Sequence, residues 1–399
     1  MKIPHRYTPA DELHTRCEKL REHLCRNDIQ GALILQNTDL FYFGGTIQQA
    51  CLYIPVKGDP VLMVRKDFDR ASKESALERI VPFSGPKEIP DILKKHGISV
   101  PKKLGMELDV VPAGIYLNFA RLFDKTEITD ISTSIRIIRA VKSAWETERI
   151  REAARFSDRL AAAVPGLLKE GITEIEFAGK IEAEARKIGH QGIVRMRLWG
   201  SELFYGHVMA GPSAAVPSYL ASPTGGAGIN PAIAQGPSLR PVKKHEPILV
   251  DLVFALDGYN SDHTRIFSIG SLPDELTEAH NVMLKIQEAV KKAAVPGTLA
   301  QNLYKLALNM ATDQGLGDYF MGTGKQRTQF VGHGIGLELD EFPFLARGQK
   351  MPLEAGMVIA LEPKAIFPGK GVVGIENTHV VTENGLEQLC DFREDIITV

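Results

Sequence analysis

The sequence predicts an α/β (α+β) protein of two domains. Its 399 residues are more than one hydrophobic core usually organises. The first third alternates between short apolar runs and amphipathic segments, a pattern typical of strands and helices packed in layers. The second half instead pairs apolar strands that carry acidic residues. We therefore expect an N-terminal domain at residues 1–140 and a C-terminal domain at residues 141–399.

The N-terminal domain is predicted from the periodicity of its segments. Helices are expected where apolar residues recur every three or four positions, and strands where short apolar runs end in turn residues. The predicted helices cover residues 14–28, 67–79 and 89–96, and the predicted strands cover residues 31–35, 51–56, 60–64, 80–82 and 103–106.

The domain boundary is predicted near residues 132–150. Ser143 and Glu146 have the spacing of a capping box, in which a hydroxyl and a carboxylate three positions later satisfy the first amides of a helix. This helix is expected to run to about residue 170. A second one begins after residues 171–173 and runs to about residue 188.

A long segment rich in Gly, Pro and Ser follows at residues 211–241. It lacks the GxxxxGK[ST] pattern of a phosphate-binding loop. Loops of this length are usually functional or disordered. We expect an ordered loop over a cleft, because strands with acidic residues follow at once, and a disordered linker is the alternative.

The first acidic hairpin contains Asp251 and Asp262. Its strands are predicted at residues 247–256 and 259–269, on either side of an Asp-Gly turn. A two-residue turn places Asp262 opposite Val253, so Asp251 and Asp262 become diagonal neighbours on one face, about 7–8 Å apart. Two carboxylates at this spacing can hold a small group of cations. Alternatively, Asp251 caps or solvates the end of its strand.

The second acidic hairpin contains Glu362 and Glu376, which lie at equal distances from Gly369. They can therefore face each other directly. Like charges in that position destabilise a sheet, and a divalent cation between them would remove the conflict. Lys364 or Arg265 could neutralise them instead. The strands are predicted at residues 357–366 and 372–381.

His333 is the candidate nitrogen ligand. It is flanked by glycines in Val-Gly-His-Gly-Ile-Gly at residues 331–336, which lets the backbone approach a ligand closely. An isolated histidine of this kind is more often a loop or core residue. Four carboxylates on predicted strands favour a metal ligand here.

Composition excludes several other classes of protein. The formal net charge is −2 and the pI is about 6.6, so no basic surface indicates a nucleic acid or an anionic membrane as partner. The start of the chain lacks the apolar core of a signal peptide, and no run is apolar and long enough to cross a bilayer. The cysteines form no CxxC pair, which favours free thiols in a reducing cytoplasm. They are Cys17, Cys25, Cys51 and Cys390.

The order, spacing and flanks of the five candidate ligands resemble the metal-binding signature of the pita-bread metallopeptidases, the family of creatinase, prolidase and aminopeptidase P. The signature comprises Asp251 and Asp262 in Asp-x10-Asp-His-Thr-Arg, His333 in Gly-His-Gly-Ile-Gly-Leu, Glu362 before a proline, and Glu376 in Gly-Ile-Glu-Asn-Thr-His. Residues 37–45 and 135–151 are similar to the N-terminal-domain segment and the interdomain junction of the two-domain branch. The resemblance implies a creatinase-like N-terminal domain, a pita-bread catalytic domain and a homodimer.

The resemblance also implies roles for these residues. Two divalent ions (Mn, Co, Fe or Zn) would be bridged by Asp262 and Glu376. Asp251 would complete one position, and His333 with Glu362 the other. Glu362 would also act as the proton shuttle between water and the leaving amine.

Two departures from the family pattern concern the substrate. Histidines that contact substrate in Xaa-Pro peptidases correspond here to Ser218 and Asp340. His207 is a candidate substitute, with a structural role as the alternative. Asp340, Ser218 and His207 are expected to shape substrate choice. His263 alternates with Asp262 along its strand and is expected to face away from the metals.

Three functions are consistent with this sequence. The first is hydrolysis of an amide C–N bond in a short peptide, as in an Xaa-Pro dipeptidase or aminopeptidase. The second is a small-molecule C–N hydrolase, like creatinase or ectoine hydrolase, or a lyase on the same scaffold, which the departures at Ser218 and Asp340 favour. The third is a non-catalytic binding module, which the complete ligand set opposes.

Overall fold

The N-terminal unit is built on one six-stranded mixed sheet. The computed structural model describes residues 6–202 and 205–399, and the chain divides into two units between Arg139 and Ala140. The strands of the first unit are β1 (Gly31–Ile34), β2 (Ala50–Pro55), β3 (Val61–Val64), β4 (Ile80–Pro82), β5 (Lys103–Met106) and β6 (Glu127–Asp130). Their order is β4-β3-β2-β1-β5-β6. The β1–β2 and β2–β3 pairs are antiparallel, and the others are parallel.

Six helices accompany this sheet within the described part of the unit. They are α1 (Ala10–Arg26), α2 (Asn37–Gly44), α3 (Phe68–Glu74), α4 (Ile89–Lys95), α5 (Ala113–Leu122) and α6 (Ser132–Ala140). Helix α3 ends five residues before the predicted end at residue 79. The Ser75 hydroxyl there accepts the Leu77 amide, and such a local bond competes with helix continuation. Helix α2 was not predicted; the Gln36 side chain caps it by accepting the Asp39 amide.

The helices of the second unit are α7 (Ala144–Leu167), α8 (Glu174–Ile188), α9 (Asp274–Ala293) and α10 (Ala300–Asp313). Helix α7 opens with the predicted capping box. The Ser143 hydroxyl accepts the Glu146 amide at 3.1 Å, and the Glu146 carboxylate accepts the Ser143 amide at 3.2 Å. Side chains of α9 and α10, such as Met283, Ile286 and Leu303, are fully buried in the main core.

Three sheets form the rest of the second unit. Their strands are β7 (Gly206–Ala210), β8 (Ile248–Leu256), β9 (Tyr259–Ser268), β10 (Phe330–Gly334), β11 (Glu341–Ala346), β12 (Val358–Leu361), β13 (Lys364–Phe367), β14 (Gly371–Gly374), β15 (Asn377–Thr382), β16 (Gly385–Gln388) and β17 (Ile397–Thr398). The sheet orders are β17-β9-β8-β7, β11-β10-β12-β15-β16 and β13-β14.

Both acidic hairpins have the predicted register. In the first, Val253 pairs with Asp262. In the second, Leu361 pairs with Asn377 and Lys364 pairs with Gly374, so one register continues from β12–β15 into β13–β14. Glu362 and Glu376 therefore lie opposite each other in the short gap between these two ladders.

The Gly/Pro/Ser-rich segment is ordered through a single buried carboxylate. Glu174, at the start of α8, accepts the Ala210 amide at 2.8 Å and the Ser213 hydroxyl at 3.0 Å. It also accepts the amide and the hydroxyl of Ser238, at 2.8 and 2.6 Å. Both ends of the loop are thus fixed to one helix. Among the described residues, no helix combines the length and the apolar character needed to cross a membrane.

Candidate metal centre

Asp251 and Asp262 lie on neighbouring strands and line the same cavity. Their side chains are 18% and 7% exposed, so both carboxylates are largely removed from water. The Asp262 carboxylate accepts the His263 amide at 2.9 Å. Burying two carboxylates side by side is costly unless something positive lies between them.

Glu362 and Glu376 are held by backbone contacts with neighbouring strands. The Glu362 amide donates to the Val331 carbonyl at 2.9 Å. Thr264 and Glu376 form an isolated bridge, and the Thr264 hydroxyl donates to the Glu376 carboxylate at 2.8 Å. The two glutamates are thereby aimed at the same cavity as the aspartates.

His333 completes the group. Its Nε2 lies 3.8 Å from carboxylate oxygens of Asp262 and Glu362 and 3.9 Å from Glu376. Its Nδ1 lies 3.0 and 3.1 Å from the carbonyl oxygens of Gly334 and Leu339. Carbonyls accept hydrogen bonds, so Nδ1 carries a proton and Nε2 faces the carboxylates, which is the orientation that a metal ligand requires.

Glycines next to His333 allow the strands to come this close. A Cβ added at Gly332 would lie 2.6 Å from the Ala360 carbonyl oxygen, and one at Gly334 would lie 2.1 Å from the Phe342 carbonyl oxygen. Real side chains do not tolerate such distances. The Gly-His-Gly sequence is thus required by the packing of β10 between β11 and β12.

Lys364 lies among these carboxylates. Its Nζ is 2.7 Å from Glu376, 2.9 Å from Glu362 and 3.1 Å from Asp251. Arg265, the other candidate counter-charge, instead donates to backbone carbonyls and to the Asn377 side chain. The neutralisation by Lys364 that the sequence left open is therefore present, although one ammonium balances one of four carboxylates.

The pKa shifts of these groups indicate an excess of negative charge. Burial, together with the Glu362 and Asp251 charges, raises the pKa of Glu376 to about 8 in spite of Lys364. Burial and the Glu376 and Asp251 charges raise the pKa of Asp262 well above its ordinary value. Burial opposes the Lys364 charge, but Asp251 and the two glutamates outweigh it and raise the pKa of this ammonium.

This donor set fits divalent metal ions. One imidazole nitrogen and four carboxylates are the ligands that Mn²⁺, Co²⁺, Fe²⁺ and Zn²⁺ accept. Ligand atoms of Asp262, His333 and Glu376 all lie within 4.8 Å of one another, close enough to share an ion. We call Asp251, Asp262, His333, Glu362 and Glu376 the metal cluster.

The metal cluster opens into a cavity of about 590 Å³. His207 lines it from β7, where it pairs with Asp251. Burial lowers the pKa of His207, so its imidazole is neutral. Asp340 also lines the cavity, with a carboxylate oxygen 3.6 Å from His333 Nδ1.

Ser218, which was expected to shape substrate choice, is not among the residues that line the cavity. Its hydroxyl accepts the Leu220 amide at 3.0 Å, and the neighbouring Tyr219 and Leu220 line the cavity in its stead. The turn that this bond closes directs the serine back to its own loop. His263 points away from the metal cluster, as predicted, with Nε2 3.6 Å from Asp158.

Several apolar residues of the cavity were not found from the sequence. They are Met196, Leu198, Trp199, Phe330, Leu339 and Phe344. Three of them, Met196, Leu198 and Trp199, lie in the segment before β7, which has no periodic pattern. In β11, buried and half-buried residues alternate, and Phe344 is one of the half-buried ones.

Comparison with known proteins agrees with this geometry. The models of metallopeptidase family M24 and of the creatinase/prolidase N-terminal domain match residues 148–383 and 16–141. A Xaa-Pro dipeptidase of Pyrococcus furiosus is 28% identical over 386 residues, 96% of this chain and 99% of the relative. An uncharacterized peptidase of Staphylococcus haemolyticus is 30% identical over 387 residues, 95% of this chain and 99% of the relative.

Solved structures show the same architecture over the whole chain. A Xaa-Pro dipeptidase from Bacillus anthracis matches with a TM-score of 0.83 and 25% identity, covering 97% of this chain and 100% of that one. The prolidase from Pyrococcus horikoshii matches with a TM-score of 0.79 and 25% identity, covering 95% and 99%. Because the family model spans more than half of its residues, this chain belongs to metallopeptidase family M24, whose members are hydrolases that use divalent metal ions.

Proposed function

We propose that this chain hydrolyses amide C–N bonds in short peptides, as an Xaa-Pro dipeptidase or aminopeptidase. The observation that carries the proposal is the convergence of one histidine and four carboxylates on a single cavity. The Xaa-Pro dipeptidase similar over nearly the full chain supports the substrate class. A cytoplasmic homodimer stays a prediction from the sequence.

The metal cluster would hold two divalent ions. Asp262 and Glu376 would bridge them, Asp251 would complete one position, and His333 with Glu362 would complete the other. When bound, such ions polarise a carbonyl and lower the pKa of a water molecule.

The remaining tasks belong to side chains of the cavity. Glu362 would take the proton from water and give it to the leaving amine, the role of a general base and acid. One of its oxygens faces His333 and the other faces Lys364. His207, neutral and on the cavity wall, would donate a hydrogen bond to the substrate.

A second candidate is a small-molecule C–N hydrolase, or a lyase, on the same scaffold. The observation that favours it is Asp340 in a position where Xaa-Pro peptidases have a substrate-binding histidine. A carboxylate there accepts hydrogen bonds and attracts cationic groups, whereas the carbonyl of a peptide needs a donor.

A hydrolysis screen separates the two candidates. Chain reconstituted with Mn²⁺ or Co²⁺ would be given Xaa-Pro dipeptides, longer Xaa-Pro peptides and cyclic amidines. Release of proline supports the first candidate, and turnover confined to small amidines supports the second. No turnover of any of these with metal bound would contradict both.

Glu362→Gln tests the assigned proton shuttle. We expect turnover to fall by about 10²–10⁴-fold, the usual contribution of general acid–base catalysis, while the fold persists. Glu383→Gln, at an exposed turn, is the matched control and should leave turnover unchanged. Full activity of Glu362→Gln at equal metal content would refute the role.

A further inference from the structure

Lys364 divides the metal cluster into two unequal ends. Its Nζ contacts Asp251, Glu362 and Glu376, and its side chain is 2% exposed. His333 lies at the other end, with Nε2 3.8–3.9 Å from Asp262, Glu362 and Glu376. One end therefore offers an imidazole nitrogen, and the other contains the Lys364 ammonium.

The fold makes room for this lysine. Lys364 is the first residue of β13 and pairs with Gly374 on β14. A Cβ at Gly374 would lie 2.7 Å from the Lys364 Cα and 3.0 Å from its Cγ, so a side chain there would displace the lysine stem. The Lys364 carbonyl accepts the Met321 amide at 2.9 Å, which fixes the backbone from the opposite side. Lys364 thus enters the cluster from a backbone held on both sides.

We propose that Lys364 competes with a divalent ion for Asp251, Glu362 and Glu376. An ammonium and a metal ion held by the same three carboxylates repel each other, because both are positively charged. The position at His333 then fills first, and the position at Asp251 fills only when the ammonium leaves it. This inference rests on the metal site of the proposed function and adds an order of filling to it.

Binding of Mn²⁺ to the metal-free full chain tests the order. We expect equilibrium dialysis with elemental analysis to show one ion bound tightly and a second bound at least about tenfold more weakly. Lys364→Met keeps the stem and removes the charge, so its second ion should bind at least about tenfold more tightly than that of the unsubstituted chain. Lys370→Met is the matched control: this lysine is on the same hairpin, is exposed, and pairs with Glu275.

Two measurements guard against a trivial result. Thermal melts check that the variants fold, and Lys364→Gln replaces Lys364→Met if the latter does not. Electron paramagnetic resonance of Mn²⁺ reports paired ions directly, and its coupled signal should appear at lower Mn²⁺ per chain in the Lys364 variant.

A second-ion affinity that Lys364→Met leaves unchanged would overturn the inference, whether or not the two ions bind the unsubstituted chain with different affinities. Because no substrate is present, failure to cleave Xaa-Pro peptides would remove the proposed substrate and leave the order of filling intact. Failure of every variant to bind Mn²⁺ would remove the metal site and this inference together.

Discussion

The two faces of the β8–β9 hairpin carry similar residue types in different electrostatic settings. The metal face presents Asp251 and Asp262 to the cavity. The helix face presents His263 and Arg265 toward Ser157 and Leu160 of α7. Each face contributes to a group whose ligand atoms lie within 4.8 Å of one another: Asp262, His333 and Glu376 on one, Asp158, His263 and Cys390 on the other.

The helix-face group is electrically balanced. The Asp158 carboxylate accepts the amides of Asp391 and Phe392 at 2.8 and 3.1 Å. Burial, with Arg265 nearby, lowers the pKa of His263 well below its ordinary value. Burial and the Asp158 charge raise the pKa of the Cys390 thiol to about 12, so no thiolate is available at neutral pH. A metal ion would find only one carboxylate in this group, and that carboxylate already accepts two backbone amides.

Charge excess and space distinguish the two faces. The metal cluster, to which the metal face contributes, has four carboxylates against one lysine and opens into a cavity of about 590 Å³. The cavity beside His263 has about 10 Å³, room for about one water molecule. Proximity of ligand-type side chains is therefore insufficient evidence for a metal site; uncompensated negative charge and room for the ion decide.

The strongest test of this difference removes one histidine from the metal cluster and one from the helix-face group. His333→Ala should weaken Mn²⁺ binding by more than about 100-fold, since even residues that orient a ligand contribute 10–100-fold. His263→Gln should leave Mn²⁺ binding unchanged and lower stability instead, because it disturbs a fully buried site. Equilibrium dialysis and thermal melts measure the two effects.

Loss of Mn²⁺ binding in His263→Gln with a normal melting curve would show that the helix face binds metal after all. Retained binding in His333→Ala would remove the imidazole from the ligand set. Either result would contradict the charge argument.

The contributions of Glu376, in the metal cluster, and of His263, in the helix-face group, to the stability of the protein should also respond to pH in opposite directions. In metal-free chain, the pKa of Glu376 is raised from 4.5 to about 8, so its contribution to stability is complete below about pH 4.5 and is lost as the pH rises toward 8. The pKa of His263 is lowered from 6.5, so its contribution is complete above that pH and is lost as the pH falls.

Thermal melts from pH 4 to 9 in the presence of a chelator should therefore show a lower melting temperature at both the acidic and the alkaline end of this range. Mn²⁺ should cancel the loss on the alkaline side, because the ion stabilises the ionised carboxylates. His263→Gln should reduce the loss on the acidic side. An alkaline loss that persists with Mn²⁺ bound would mean that Glu376 is not its source.

The sequence could predict the metal face better than the helix face, for a physical reason. An Asp-Gly turn sets the register of β8–β9, and side chains alternate along a strand, so the position of Asp262 and the opposite direction of His263 follow from local rules. The pairing of Glu362 with Glu376 follows in the same way from their symmetry about Gly369. Register, and with it the convergence of carboxylates, is local information.

What could not be predicted depends on contacts between distant segments. Asp158 and Cys390 meet His263 from a helix and from the C-terminal segment, and no periodicity relates them. The course of the loop at residues 211–241 depends on its contacts with Glu174. The turn at Ser218 directs this serine away from the cavity, so that its neighbours Tyr219 and Leu220 line the cavity instead. The alternation of side chains along the strands also did not decide whether Lys364 or Arg265 neutralises the carboxylates. That choice depends on which of the two side chains the packed sheets place inside the metal cluster.

The smallest expected effect concerns Cys390, the one sulfur in the helix-face group. Cys390→Ala removes a fully buried atom that contacts the Ser261 hydroxyl at 3.8 Å. We expect a loss of about 1–2 kcal/mol in the free energy of unfolding, typical of a small buried truncation. The Mn²⁺ affinity and the peptide turnover should both equal those of the unsubstituted chain, because Cys390 is protonated and lies across the sheet from the metal cluster.

Cys51→Ala is the matched control for losing a thiol, because Cys51 is a buried cysteine of the N-terminal unit. A change in metal content in Cys390→Ala alone would mean that the thiol binds an ion in spite of its raised pKa, and the difference between the two faces would then be one of degree.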